Sequence, residues 1–488
     1  MTAPASQRAE TGIPGLDTVL EGGLIRGSVY LIRGAPGSGK TILANQIGFH
    51  TAALGGRATY VTLLAEANDQ MIAHLSRLRF FRPELVGSKV SYLSLFKILE
   101  ERGLAGLLQT MREIGATRGA QLIVVDGLVA AEDFAKSPQQ FKAFVHDLHM
   151  VATMSGATVL LLTTQRSLNL DTEQTVVDGV IDLTEDMYEM RALRYLRVRK
   201  MRGTNALRGK HLLSITDEGI VVRPRIEKQC ERDQREVLAP DPHRRKRFGI
   251  PQLDRMLGGG PPELSTTMIA GPTGSGKTIL GLHYLLEGAR GGERGLFIGF
   301  HETPPELLAK SDRLGLGLRG AVNEGAIHLM WQRPVEGLLD LVAEQLLALV
   351  HAHHITRVCV DGVHTFGRTI DYPERLPEAV AAIKQQLLRE GVTLVYTYET
   401  PQVHGQLQLP PQDLPASAHN IIVQRHCEVR ARTHHVISVL KMRDSGHDPR
   451  AYEFRIDEGG LHVDNTYDSA AELLGPTGHD GAARKTRR

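Results

Sequence analysis

Two stretches of this chain are written for the same chemistry. Residues 34–41 read GAPGSGKT and residues 271–278 read GPTGSGKT, so the pattern GxxxxGK[ST] occurs twice. Glycine-rich turns of this kind expose successive backbone N–H groups that curl around phosphate oxygens, and the helix that follows presents its positive end to the same anion. Gly34, Ala35, Pro36, Gly37, Ser38 and Gly39 make the first expected cradle, and Gly271, Pro272, Thr273, Gly274, Ser275 and Gly276 the second. Lys40 and Lys277 are placed to reach the β- and γ-phosphates, and the hydroxyls of Thr41 and Thr278 to ligate Mg²⁺. ATP and Mg²⁺ are the expected ligands.

A phosphate cradle needs a second acid for its metal. IVVDG and VCVDG supply one each, at Asp126 and Asp361, where an apolar run ends. A carboxylate at the C-terminal end of a parallel strand faces the same crevice as the loop. The alternative, a plain Asp–Gly turn, would have to recur twice in register. Hydrolysis also needs a group that orients or deprotonates water. Glu66 and Glu302 follow the next strand in each half and are the candidate bases, unless they cap the following helix. Gln165 and Glu399 end a further strand, where they could sense the γ-phosphate. KMR is spelled at 200–202 and again at 441–443. Lys200 and Arg202, like Lys441 and Arg443, are two apart on predicted strands, so their side chains share a face. Such pairs can be solvated edges, or fingers that reach a phosphate bound by a neighbouring subunit. The identical spelling in both halves favours fingers.

The elements that must hold these groups repeat as well. SVYLIRG, RATYVTLLAE, AQLIVVDG and ATVLLLTTQ are short apolar runs separated by helical stretches such as KTILANQIGFHTAALG. That alternation predicts a mostly parallel sheet covered by helices on both faces, an α/β domain of the doubly wound kind. ALRYLRVRKMRG and HHVISVLKMRD read as additional strands near the end of each half. GIPGLD and GIPQLD precede the two loops, and Asp17–Asp254 and Lys40–Lys277 share one spacing of 237 residues (254 − 17 and 277 − 40). A period that long is a duplicated domain, since solenoid repeats run roughly 20–50 residues. The expected organisation is an N-terminal domain over 8–222, a charged linker over 223–246, a C-terminal domain over 247–465, and a compositionally disordered tail over 466–488.

Composition excludes several classes. Hydrophobic content of 42% and charged content of 23% fit a soluble globular chain. Lys and Arg number 57 against 55 Asp and Glu, aromatics make up 5%, and the basic runs HRRKR (243–247) and RKTRR (484–488) fall in linker and tail. Nucleic acid is therefore not an expected partner. No run approaches 18 apolar residues, so no membrane span is expected. Three scattered cysteines suit a reducing, cytoplasmic setting. His351, His353 and His354 lack the companions of a zinc site and are expected to end a helix before the VCVDG strand.

Taken together, GIPxLD, the phosphate loop, the acidic strand end and KMR resemble the KaiC family of RecA-superfamily ATPases, the circadian clock proteins and their bacterial relatives. The resemblance spans both halves, and the tandem duplication with KMRDSGHD (441–448) is its most specific part. It implies two tandem RecA-like P-loop NTPase domains and a homo-oligomer, a six-subunit double-layered ring with ATP·Mg²⁺ at subunit interfaces. It implies that Lys200, Arg202, Lys441 and Arg443 contact a neighbour's nucleotide. It also implies slow ATP hydrolysis in the N-terminal layer, serine/threonine autokinase chemistry in the C-terminal layer, and signalling protein partners.

The chain departs from that family in two places. The family carries two adjacent glutamates after the second strand, whereas here the halves read LLAEAN and FHETP, leaving Glu66 alone and His301 before Glu302. Clock members also carry an adjacent Ser–Thr pair before the last KMR strand. Here ungapped counting puts Pro415 and Ala416 at those positions, with Ser417 the only hydroxyl and the only candidate phosphosite in DLPASAHNIIV. The expectation is a KaiC-like ATPase of signalling type without a two-site clock cycle. Its rivals are a nucleotide-gated scaffold with little turnover and a RecA-like DNA-binding ATPase.

Overall fold

VYLIRG, LIVVD and TVLLLT are apolar on both faces of a strand, so each must be covered on both. The computed structural model describes residues 7–464 apart from 65–67, 118, 165–175, 189–190, 237, 240, 333–338, 366–372, 401–417, 430–431 and 444. It divides into a unit of Met1–Gln229 and a unit of Cys230–Arg488. In the first unit the strands are β1 (Val29–Gly34), β2 (Ala58–Thr62), β3 (Val90–Ser94), β4 (Leu122–Asp126) and β5 (Thr158–Thr163), then β6 (Gly179–Tyr188), β7 (Arg191–Met201), β8 (Lys210–Thr216) and β9 (Gly219–Arg223). They form one nine-stranded sheet in the order β9-β8-β7-β6-β1-β5-β4-β2-β3. The pairs from β6 through β1 to β3 are parallel, and those from β6 out to β9 are antiparallel. Leu31 of β1 joins one core with the helices Phe96–Thr117 and Pro138–Ser155, while Tyr30 and Ile32 join the other with Leu43 and Ile47 of the helix Lys40–Ala53.

The second unit repeats this plan. Its strands are β10 (Thr266–Gly271), β11 (Gly295–Gly299), β12 (Ile327–Trp331), β13 (Arg357–Asp361) and β14 (Thr393–Glu399), then β15 (Asn420–Val429), β16 (Arg432–Met442), β17 (Ala451–Asp457) and β18 (Gly460–Val463). Their order, β18-β17-β16-β15-β10-β14-β13-β11-β12, is the first order with nine added to each label. The two mostly parallel α/β sheets expected from the sequence are both present. Four strands in each unit go beyond the reading of the sequence. β3, β6, β8 and β9, with their counterparts β12, β15, β17 and β18, are short or mixed in polarity and carry no run that announces them.

Three sequence expectations change. The stretch 223–246 is not a bare linker: it contains the helix Ile226–Arg232 and the strand Asp241–Arg245, which pairs with Pro262–Glu263. From Cys230 onward it is built into the second unit, where Arg235 bridges Asp233 at 2.8 Å and Glu390 at 2.7 Å. Two cations of its basic run are paired internally: Arg244 meets Glu263 at 2.7 Å, and Lys246 meets Glu263 at 2.9 Å and Glu293 at 2.8 Å. Finally, Arg202 and Arg443 sit one residue past the strands, which end at Met201 and Met442. A β-bulge precedes them in both units, because Val180 pairs with Lys200 but Ile181 with Val198, and Ile421 with Lys441 but Ile422 with Val439. His351 and His353 do close a helix, Leu339–His353, with His354 at φ 50° just beyond it. The tail 466–488 lies outside the described residues. No helix among the described residues is long and apolar enough to cross a membrane.

One repeated contact has been solved with different chemistry. In the first unit Ile220 N–H donates to Gln46 Oε1 at 2.7 Å, docking the helix behind the phosphate loop onto β9. In the second, Leu461 N–H donates to His283 Nε2 at 2.9 Å. A Cβ on the preceding Gly460 (φ 97°) would lie 2.3 Å from that nitrogen, so the close approach requires glycine. Burial, with Arg290 and His462 nearby, pushes His283 from 6.5 down to about 4. The folded state therefore holds this ring neutral, while the unfolded chain protonates it below pH 6.5. The stability this contributes is full above the unfolded value and is lost as pH falls toward the folded one, by up to about 3 kcal/mol. Trp331, the only tryptophan, lies on β12 and reports on this unit. Urea midpoints followed by its fluorescence should drop between pH 6.5 and about 4 in the parent protein. They should flatten in His283→Gln, which copies Gln46.

Candidate functional site

Each phosphate loop joins the central strand of its sheet to a helix, β1 to Lys40–Ala53 and β10 to Lys277–Arg290. The turn closes on a left-handed residue, Gly39 at φ 98° and Gly276 at φ 89°, a conformation that favours glycine. The lysine ammonium folds back on the loop. Lys40 Nζ donates to Gly34 O at 2.8 Å and Ala35 O at 3.0 Å, and Lys277 Nζ donates to Pro272 O at 2.6 Å. Burial pushes both lysines below their ordinary value, opposed by Asp126 at Lys40 and by Glu399 and Asp361 at Lys277. A half-desolvated cation in this position gains from an anion brought against it. Ser38 Oγ and Ser275 Oγ are buried with no hydrogen-bond partner among the described residues, at the same position of both loops.

The strand-end acids face these loops. Thr41 Oγ1 donates to Asp126 Oδ2 at 3.3 Å, and Thr278 Oγ1 to Asp361 Oδ2 at 2.7 Å. Hydroxyl and carboxylate oxygens are hard donors of the kind Mg²⁺ takes, and a carboxylate–hydroxyl pair supplies two of its positions beside a phosphate. Sequence reasoning missed what orients each acid. Tyr60 Oη makes a short hydrogen bond to Asp126, and burial and that carboxylate raise its pKa well above the ordinary value. In the second unit Thr397 Oγ1 donates to Asp361 Oδ1 at 2.6 Å instead. The strand registers equate Tyr60 with Phe297, and Thr397 with Leu162, so each unit uses a donor the other lacks. A cavity of about 390 Å³ lined by Thr41, Tyr60, Met71, His74 and Asp126 opens at the first acid.

Of the candidate bases, Glu66 lies outside the described residues, as do Gln165 and Ser417. Glu302 is three residues past β11, and one of its oxygens forms a short ion pair with Lys310. Its Oε2 is buried without a hydrogen-bond partner among the described residues. It does not cap the following helix, whose capping box is made by Thr303 and Glu306. Glu399 ends β14 as expected, and Thr273 of the phosphate loop donates to it in a short hydrogen bond.

The KMR residues sit elsewhere. Arg202 N–H donates to Asp178 O at 2.9 Å, and Asp178 N–H to Val29 O at 2.9 Å, which puts Arg202 level with the start of β1. The phosphate loop leaves the other end of β1, five residues on, or about 16 Å at the usual rise per strand residue. Arg443, His419 and Thr266 repeat this ladder at the start of β10, each step 3.0 Å. Lys200 Nζ donates to Val177 O at 2.6 Å and Lys441 Nζ to Ala418 O at 2.7 Å. Both lysines are pushed down by burial and by the neighbouring arginine. The surroundings differ in charge. Asp178 lies 3.8 Å from Arg202 and 2.9 Å from His149, whereas His419 takes its place in the second unit. There Lys384 is pushed down to about 8 by burial together with Arg443 and Lys441. No spacing in the sequence could have linked Lys384 to a strand so far downstream.

Comparison with known proteins agrees with this geometry. The family described as "ATPase: KaiC" matches twice, over residues 9–227 and 247–467. The circadian clock oscillator protein KaiC of Picosynechococcus sp. is 24% identical over 480 residues, covering 96% of this chain and 92% of that protein. The circadian clock protein KaiC3 of Synechocystis sp. is 24% identical over 489 residues, covering 96% and 94% respectively. Two phosphate loops, each facing a strand-end acid within a duplicated sheet, and a family match to both copies lead to one conclusion: the chain belongs to the KaiC ATPase family.

Proposed function

We propose that this protein hydrolyses Mg²⁺·ATP in both units, as a ring of identical chains whose KMR cations complete a neighbour's site, and that it works as a nucleotide-driven signalling protein. The observation that carries the reading is the placement of cations and cradle at opposite ends of the same sheet. Lys200 and Arg202 cannot reach the nucleotide of their own unit across about 16 Å of strand, but on an adjoining subunit they could lie against its phosphates. A six-subunit, double-layered ring is the assembly the family resemblance implies.

Within each site the division of labour follows from the contacts. The loop N–H groups and Lys40 or Lys277 hold the phosphates. Thr41 with Asp126, and Thr278 with Asp361, hold the metal ion, which when bound neutralises charge developing between the β- and γ-phosphates. Glu399 is the candidate γ-phosphate sensor. Glu66 is the candidate base of the first unit, and the arginine of a neighbour balances charge in the transition state. Ser417 is the candidate acceptor if the second unit also phosphorylates its own chain. The clock role printed for the relatives comes to this chain as signalling through nucleotide state, with protein partners to receive it. Three free cysteines suit a reducing cytoplasm. The internal pairing of Arg244 and Lys246 with Glu263 and Glu293 weakens the DNA-binding alternative.

Three measurements test this. Incubated with γ-labelled ATP and Mg²⁺, the protein should release label as free phosphate. Lys40→Ala and Lys277→Ala should each remove one component, and the double variant should remove all. Label retained on the protein and lost only in Lys277→Ala would instead assign autokinase chemistry to the second unit. No release at all would favour the scaffold. If the fingers act in trans, Lys40→Ala and Arg202→Ala proteins, each at least tenfold slower at the first site, should regain turnover on mixing; a finger that acts within its own unit gives no recovery. Tyr60→Phe should weaken Mg²⁺ binding at the first site by roughly 10–100-fold and leave the second unchanged, as read by Mg²⁺ titration of turnover in the Lys277→Ala background.

A further inference from the structure

The second site holds imidazoles where the first holds hydrocarbon. His301 follows β11 and is exposed, and its ring lies over Gly362, the residue after Asp361. Its Nε2 is 3.1 Å from Oγ1 of the buried Thr365. It stacks on His364 with ring centres 6.0 Å apart and planes 21° apart. His364 Nε2 is 3.9 Å from Glu399 Oε2, and Glu399 is bound to Thr273 of the phosphate loop. The array thus runs from the end of β11, past the metal-side acid, to the loop that would carry the γ-phosphate.

The first unit shows that the fold does not need it. Leu64 covers Gly127 as His301 covers Gly362, because Thr62 pairs with Asp126 as Gly299 pairs with Asp361. The same register sets Val129 opposite His364. Counted from the strand ends, Glu302 is the third residue out and Glu66 the fourth, so the two glutamates are not equivalent. Glu302 in addition spends its charge on Lys310.

We propose that His301 is the proton acceptor for the attacking water in the second unit, with Thr365 and His364 as its positioning residues. This rests on the ATPase reading above. With Nε2–H donating to Thr365 Oγ1, Nδ1 keeps the lone pair that receives the proton. Water oxygen bonds to the γ-phosphorus, the bond from that phosphorus to the β–γ bridging oxygen breaks, and ADP leaves with its electron pair. The water proton passes to Nδ1 and then to solvent. Of the titratable groups near this ring, His364 stacks on it and in turn meets Tyr398 and Glu399, Asp361 precedes the Gly362 that the ring covers, and Glu302, next in the chain, pairs with Lys310.

The test uses the full chain carrying Lys40→Ala, so that phosphate release with γ-labelled ATP and Mg²⁺ reports the second site. A general base acts only when unprotonated, so release should rise with pH. His301→Gln and His301→Leu, the latter copying Leu64, should lower kcat about 100-fold or more and remove the pH limb, while KM moves less than about threefold. His301→Glu should restore part of the rate with the limb shifted to lower pH. An unchanged Trp331 unfolding transition shows that the variants are folded. If His301→Gln keeps both rate and limb, or if Glu302→Gln alone abolishes release, the assignment to His301 is wrong and the ATPase reading stands. If Lys40→Ala releases no phosphate at any pH, both fall.

Discussion

The hydrogen bond between a loop threonine and a strand-end aspartate fixes what the rest of each unit must do. Thr41 and Asp126 lie on segments separated by β5, and they meet only if three parallel strands end at matched heights. The ladders provide this: Ile32 and Asp126 both pair with Leu162, so the acid is level with a residue two before Gly34. The second sheet makes the same choice, with Met268 and Val360 both paired to Tyr396. A slip of one residue would shift the acid by about 3.3 Å and turn its side chain to the other face. Apolar runs on both faces of β1, β4 and β5, covered by helices on each side, hold these three strands together at the centre of the sheet. The core is thus the mechanism by which a carboxylate and a hydroxyl far apart in sequence become one metal-binding pair.

How much of this is legible in the chain follows from the same physics. A strand buried on both faces is an uninterrupted apolar run, so VYLIRG and LIVVD name themselves, and the loop and acid attached to them come along. The outer strands pair on one edge or face solvent, so KHLLSIT and AYEFRID alternate too loosely to be read. The bulges at Arg199 and Leu440 leave no mark in composition, yet they decide where the KMR lysines point. Partners contributed across the sheet, such as Tyr60 to Asp126 or Lys384 near Arg443, depend on strand order, which the letters do not state. In 223–246 the charge suggests a linker, but several of its charged side chains pair with one another and with Glu263, Glu293 and Glu390, which lets a charged stretch be structured.

Duplication makes the chain its own control. Where both copies keep a contact, its geometry is demanded by the frame, and where the residue changes but the bond survives, only the bond is demanded. Gln46 and His283 both accept from the edge strand, so docking that strand on the helix is structural, and the imidazole adds only a proton equilibrium. Asp178 and His419 both accept from the first residue of the central strand, through Val29 N–H at 3.0 Å and Thr266 N–H at 3.1 Å. Only the aspartate also brings a negative charge to its arginine. The same comparison separates the orientation of the acids, done by Tyr60 in one unit and Thr397 in the other, from the acids themselves.

That charge difference bears on how the two layers would use the same KMR spelling. In the first unit Arg202 already has a carboxylate at 3.8 Å, so an incoming phosphate must compete with Asp178 for it. In the second, Arg443 stands with Lys441 and Lys384, and the pKa of Lys384 is lowered first by burial and then by the two neighbouring cations. Like charges held together are relieved by an anion. The same three letters therefore stand in two electrostatic settings, and the asymmetry comes from residues outside the motif.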